Sequence, residues 1–175
     1  MSGMTEQSTS VTRPSAASAA GPPLVRHAID PQRLLSAVAA EDAGANVLFV
    51  GTTRGTTRGI ATSRLEYEAH EPMAESRLAA LRDEAVRRFG LKGCAVVHRL
   101  GVVAVGESSV AIATSGPHRR EAFEAAQWLM DRIKQEVPIW KCEERPDGSR
   151  EWVHPGGSPP AAPAAVAGGG DDERH

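Results

Sequence analysis

The sequence predicts an α+β domain with a mainly antiparallel sheet and about three helices. Apolar residues recur at helical spacing in three stretches, and short strand-like runs cluster between them. Many of those runs are joined by hairpin-length links punctuated by Gly101, Gly106 and Gly148. The elements do not alternate strictly as strand, helix, strand, so a parallel doubly wound sheet is not expected. No G-x-G-x-x-G follows a strand and there is no P-loop lysine, so nucleotides gain no support and no resident cofactor is expected.

The first helix starts at Asp30-Pro31, where Asp serves as N-cap and Pro occupies a position whose N–H has no helical partner. Leu34, Leu35 and Val38 form its apolar stripe, and it is expected to reach about Asp42. Asn46-Val-Leu-Phe-Val50 reads as a buried strand that discharges into a glycine-spaced loop over 51–63. Leu65 and Tyr67 alternate with polar neighbours as the next strand. Pro72 opens a second helix with Ala74, Leu78, Leu81 and Ala85 inward, and Phe89-Gly90 closes it with a left-handed glycine cap. Strands are expected at about 94–100, 102–105 and 109–115. The third helix, about 118–135, turns Phe123, Ala126, Met130 and Ile133 inward. Strands at about 139–144 and 151–153 flank the turn Pro146-Asp-Gly148, with Trp140 and Trp152 as core or interface aromatics.

With 175 residues and 41% hydrophobic content the chain can bury one good core, hence one domain. Residues 1–23 and 155–175 are rich in Ser, Thr, Ala, Gly and Pro, too poor in apolar surface to order, which leaves a folded domain at 24–154. A net charge of −2 argues against a nucleic-acid surface spread over the whole protein but leaves room for a local basic pocket. No apolar run approaches the roughly 18–20 residues of a membrane span, and the start lacks a signal-peptide pattern, so a cytoplasmic protein is expected. Cys94 and Cys142 are isolated, and no second His stands at ligand spacing from His118, so no metal site is expected. Ser108, Ser109 and Ser115 lack a nucleophile-elbow context.

The chain holds 17 arginines but only three lysines, Lys92, Lys134 and Lys141. Arg stays charged whereas Lys can release its proton, so two of three lysines flanking one break suggest chemistry beyond a fixed charge. Pro138 ends the third helix between them, leaving Lys134 in its last turn and Lys141 in the following strand. The plainer alternative is a cation complementing the helix dipole plus a solvated strand lysine. Arg54 follows the first long strand and His118-Arg119 opens the third helix, where free N–H groups favour an anion. Together these groups suggest a pocket for a phosphate or carboxylate.

Five motifs, in order over about residues 25–154, make the chain resemble the large, catalytic subunit of molybdopterin synthase. They are Phe49-Val-Gly-Thr-Thr-Arg54, Leu65-Glu-Tyr-Glu-Ala69 with Met73-Ala74, His98-Arg-Leu-Gly101 with Gly106-Glu107, Pro117-His-Arg119 with Ala122-Phe123, and Lys134 through Glu143 with Trp152. The resemblance implies an α/β-hammerhead type of fold. It implies sulfur transfer: conversion of cyclic pyranopterin monophosphate to the dithiolene of molybdopterin, with sulfur delivered as a thiocarboxylate on the C-terminal Gly-Gly of a small ubiquitin-like subunit. It further implies a homodimer of this chain within a heterotetramer.

Carried over by motif, Thr52, Thr53, Arg54, His118 and Arg119 would bind the pterin phosphate, part of that set across the dimer interface. Lys134 and Lys141, with Cys142 and Glu143, would line the reaction pocket. Lys134 is assigned as general acid/base and Lys141 as its electrostatic partner, a pair of roles that the two could exchange. Cys142 stands where the family often has a second basic residue. The repeat Gly51-Thr-Thr-Arg-Gly-Thr-Thr-Arg-Gly59 makes Arg58 a rival to Arg54, which fits the spacing from Phe49 better. The competing function is a non-catalytic docking module for a Gly-Gly tail, which has no need of a phosphate site. A sulfur carrier must end in Gly-Gly, and five residues follow Gly170 here.

Overall fold

The strands of the computed structural model, which describes residues 21–57 and 59–153, form two four-stranded sheets and a small ribbon. The tails expected at 1–23 and 155–175 lie outside the described residues except for 21–23, and so does Arg58. The first sheet has the order β1 (Leu24–Val25), β6 (Gly93–Arg99), β8 (Ser108–Gly116), β2 (Ala45–Thr52). Only its β1–β6 pair is parallel. The second runs β10 (Arg150–Val153), β9 (Ile139–Glu144), β5 (Arg64–Ala69), β7 (Gly101–Ala104), antiparallel throughout. The glycine-spaced loop expected over 51–63 contains the ribbon β3 (Thr56–Thr57) and β4 (Ile60–Ala61). With three helices, α1 (Pro31–Val38), α2 (Glu71–Phe89) and α3 (Arg119–Glu136), the architecture is the expected α+β.

Both faces of the first sheet are covered. On one, Leu78 and Leu81 of α2 and Leu129 and Ile133 of α3 pack with Cys94, Val96 and Ile112. On the other, Leu34 and Val38 of α1 pack with Ala95, Val97, Ala111 and Ala113. A strand buried on both faces loses the in–out alternation, which is why β6 and β8 read as near-continuous apolar runs. The second sheet continues past the end of α3, where the Val137 N–H still donates to the Ile133 carbonyl at 3.1 Å before Pro138 releases the chain into β9.

Two local expectations are corrected. The first helix stops at Val38 rather than about Asp42, because the chain must turn at once to enter β2. Ala39 is already extended, with ψ 133°. The Ala43 N–H donates to the Ala40 carbonyl, and the Gly44 N–H to the Gly116 carbonyl, launching β2 at Ala45. The helix end is also pressed onto the sheet: a Cβ on Gly93 would lie 2.5 Å from the Val38 carbonyl oxygen. Second, Phe123 is 62% exposed, whereas Ala126 and Ile133 are buried as expected, together with Ala122, Ala125 and Leu129, and Met130 is half-buried. The true inward face is carried largely by alanines, whose small side chains let α3 approach the sheet closely. Of the expected stripe, Phe123 alone falls outside that face.

Candidate functional site

Lys134 and Lys141 line one cavity of about 220 Å³ between the two sheets and the end of α3. Gly51 and Thr52 of β2, Tyr67 of β5, His98 of β6 and Ser109 of β8 complete its polar and backbone walls, and Met130, Ile133, Val137 and Ile139 supply apolar lining. The break at Pro138 places the lysines: α3 delivers Lys134 from above, while β9 pairs Lys141 directly opposite Tyr67. Gly51 keeps the cavity floor low. A Cβ there would meet the Val110 Cγ1 at 2.7 Å, and the ladder shifts register between Gly51 and Thr52. Lys141 Nζ pairs with Glu143 Oε1 at 2.7 Å, while Lys134 is exposed and has no ion pair among the described residues.

A second, wider cavity of about 470 Å³ adjoins the first through Lys141. Arg54, Thr57 and Ile60 of the loop and ribbon line it, with Glu143, Arg145 and Glu151 of the β9–β10 hairpin region. Arg145 Nη2 pairs with Glu151 Oε2 at 2.5 Å and Arg54 has no ion pair among the described residues. The two cavities thus bring together Thr52, Arg54, Lys134, Lys141 and Glu143.

The remaining residues of the expected set lie elsewhere. His118 and Arg119 are exposed at the N-terminal end of α3, about 22 Å along the helix axis from Lys134. His118 makes no side-chain cap bond. Thr53 is 3% exposed and braces the loop instead of facing either cavity. Its N–H donates to the Glu107 carbonyl at 3.0 Å and its own carbonyl accepts from the Gly106 N–H at 2.9 Å. Cys142 is 1% exposed and, by strand alternation, sits on the face opposite Lys141 and Glu143, among Glu66, Trp152 and Arg150. Trp152 is 37% exposed on that outer face.

His98 belongs to the cavity although its motif position carried no assigned role. The signal was available, since it is the one ionisable residue continuing the apolar run Cys94-Ala-Val-Val97. It is 6% exposed, and its ring meets Tyr67 edge to face at 5.0 Å. Its Nδ1 lies 3.0 Å from the Arg99 carbonyl oxygen. Burial pushes the imidazole down to about 4, against the smaller opposing effect of that backbone contact. Because the folded value lies below the ordinary 6.5, its stabilising contribution is complete above about pH 6.5 and is lost as pH falls toward 4. Acidification over that window is expected to remove about 3 kcal/mol through this group alone. Melting curves between pH 7.5 and 4 should therefore fall less steeply for His98→Phe than for the wild type, and parallel curves would show that His98 does not titrate this way. By contrast Cys94 is inert, its thiol pushed up to about 12 by burial.

No described helix is long and apolar enough to cross a membrane. The MoaE protein family model matches residues 24–136. A molybdopterin synthase catalytic subunit from Emericella nidulans is 41% identical over 129 residues. The match takes in 74% of this chain and 66% of that relative, so the chain spans just under two thirds of its length. The crystal structure of molybdopterin synthase from Staphylococcus aureus superposes with a TM-score of 0.71 at 38% identity, covering 75% of this chain and 95% of that one. A complex of subunits 1 and 2 of the molybdopterin-converting factor from Helicobacter pylori 26695 matches with a TM-score of 0.61 at 25% identity, over 74% of this chain and 88% of that one.

Proposed function

Because the chain belongs to the MoaE protein family, we propose that it is the catalytic subunit of a molybdopterin synthase, with residues 24–154 as the working unit. It takes sulfur from the thiocarboxylated C-terminus of a small ubiquitin-like subunit and installs the two dithiolene sulfurs on cyclic pyranopterin monophosphate, in the cytoplasm. The observation that carries this reading is the convergence of both lysines on one cavity that continues, past Lys141, into the compartment of Arg54. The sulfur donor is an anion attacking a carbon of an anionic substrate. Two ammonium groups and a guanidinium along that path lower the repulsion and stabilise charge as it moves. Lys134, exposed and without an ion pair among the described residues, is the better proton carrier; Lys141, tied to Glu143, is the better fixed charge. A module that only docked a Gly-Gly tail would have no use for the Arg54 compartment.

The test is direct. The full chain and residues 24–154 are each mixed with thiocarboxylated small subunit and cyclic pyranopterin monophosphate, and dithiolene product is measured. Equal product from both is expected. Product no higher than in a chain-free control would sink the assignment, and activity from the full chain alone would give a tail a role.

His118 and Arg119 serve the site of a second copy, in a homodimer within a heterotetramer, since about 22 Å separates them from the lysine of their own helix. Lys134→Ala and Arg119→Ala chains, each deficient alone, should then regain activity when mixed, because a mixed dimer keeps one intact site. A mixture no better than its components would place all the substrate ligands in one chain.

A further inference from the structure

The cavity holds one buried group for which the sulfur-transfer reading has so far found no use. His98 faces the same 220 Å³ as Lys134 and Lys141, yet it is chemically their opposite. A carbonyl oxygen only accepts hydrogen bonds, so the 3.0 Å contact between Nδ1 and the Arg99 carbonyl requires the proton on Nδ1. In the neutral ring Nε2 then carries a bare lone pair and can only accept. Nε2 makes no hydrogen bond among the described residues and is not one of their fully enclosed, unpartnered polar atoms. It is therefore the nitrogen left to meet whatever enters the cavity. The Tyr67 ring, edge to face at 5.0 Å, and the β-ladder on both sides of His98 hold the imidazole plane in place.

We propose that His98 is a substrate-orienting residue of the reaction cavity, whose Nε2 accepts a hydrogen bond from a ring N–H or amino group of the bound pterin. The proposal rests on the sulfur-transfer reading above. Lysine ammonium groups are donors only, and they attract phosphate, carboxylate and thiocarboxylate wherever these sit. On their own they would not distinguish one edge of the heterocycle from the other. An acceptor that is uncharged and cannot donate does so: it repels anionic oxygen or sulfur at short range and rewards an N–H. Sharing the cavity with the two cations, it turns the N–H-bearing edge of the pterin toward β6. The neighbouring Thr52 hydroxyl can rotate to donate or accept and imposes no polarity, whereas the Ser109 Oγ donates to the Gly51 carbonyl at 3.3 Å and so offers the cavity lone pairs of the same polarity as His98.

The test uses the assembled complex of full chain and thiocarboxylated small subunit, with steady-state kinetics for cyclic pyranopterin monophosphate. His98→Phe keeps the aromatic contact with Tyr67 and deletes the lone pair. It should lower kcat/KM about three- to tenfold, the value of one neutral hydrogen bond made by the productively oriented substrate. His98→Gln can return a carbonyl oxygen near the Nε2 position and should recover most of that loss. An unchanged kcat/KM in His98→Phe overturns the proposal, as does a His98→Gln variant that is no better than Phe. If either variant melts early, the wild type is compared on the substrate and on a pterin N-methylated at its ring N–H groups. Weaker binding of the methylated ligand to wild type, with the difference abolished in His98→Phe, supports the orienting contact, and equal binding refutes it. Absence of turnover in the wild type would bring down the sulfur-transfer reading and this proposal with it, whereas an active wild type with an indifferent His98 brings down the proposal alone.

Discussion

Lys141→Ala lowers turnover by about a hundredfold or more, the scale on which removing one preorganised charge from an active site is felt. Among the described residues Lys141 is the one that borders both cavities, so its loss uncouples the reaction pocket from the Arg54 compartment and frees Glu143 to repel incoming anions. The fold should survive. Lys141 lies on the cavity face of β9, with its side chain 28% exposed, and none of the apolar core depends on it. Lys134→Ala should cost a similar factor for a different reason, the loss of a proton carrier. Arginine substitutions separate the two roles, because guanidinium keeps the charge and does not release its proton. Lys141→Arg is expected to retain a measurable part of turnover and Lys134→Arg almost none. The reverse order would exchange the roles, and near wild-type rates in both would remove proton transfer from either lysine.

Leu129→Ala is expected to cost about 2–5 kcal/mol of stability, seen as a melting temperature lower by roughly 6–20 °C. Leu129 is completely buried where α3 meets α2 and the first sheet. Its neighbours on that face, Ala122, Ala125 and Ala126, are too small to move into the space it leaves. The same helix carries Met130, Ile133 and Lys134 to the cavity, so the variant should also lose activity well below the temperature at which the wild type does. A melting temperature within two degrees of wild type would mean that α3 settles onto the sheet without that side chain, and the packing described for the α2–α3 layer would have to be revised.

The sequence by itself determined the order and kind of the main elements and the pairing of Lys134 with Lys141 across one break. Those features are local. Helical periodicity in α2, the Asp30-Pro31 start, the left-handed Gly90 with φ 62° and the effect of Pro138 each act within a turn or so of chain, and each is legible in a few adjacent residues. Element ends were less legible, as at Val38, because the last turn of α1 is set by a close approach to Gly93, more than fifty positions later. The inward face of α3 was legible at Ala126, Met130 and Ile133 but not in full, for a related reason: alanine carries little hydrophobic weight in a pattern, yet it decides how closely a helix can approach. What only the tertiary structure decided is which side of a sheet each candidate faces and how far apart candidates lie. Strand alternation puts Lys141 and Glu143 on the cavity and turns Cys142 away, and the length of α3 carries His118 and Arg119 out of reach of their own lysines. The apolar run before His98 marks it as buried, but its place in the site comes from the convergence of β6, β5 and the end of α3, segments distant in sequence.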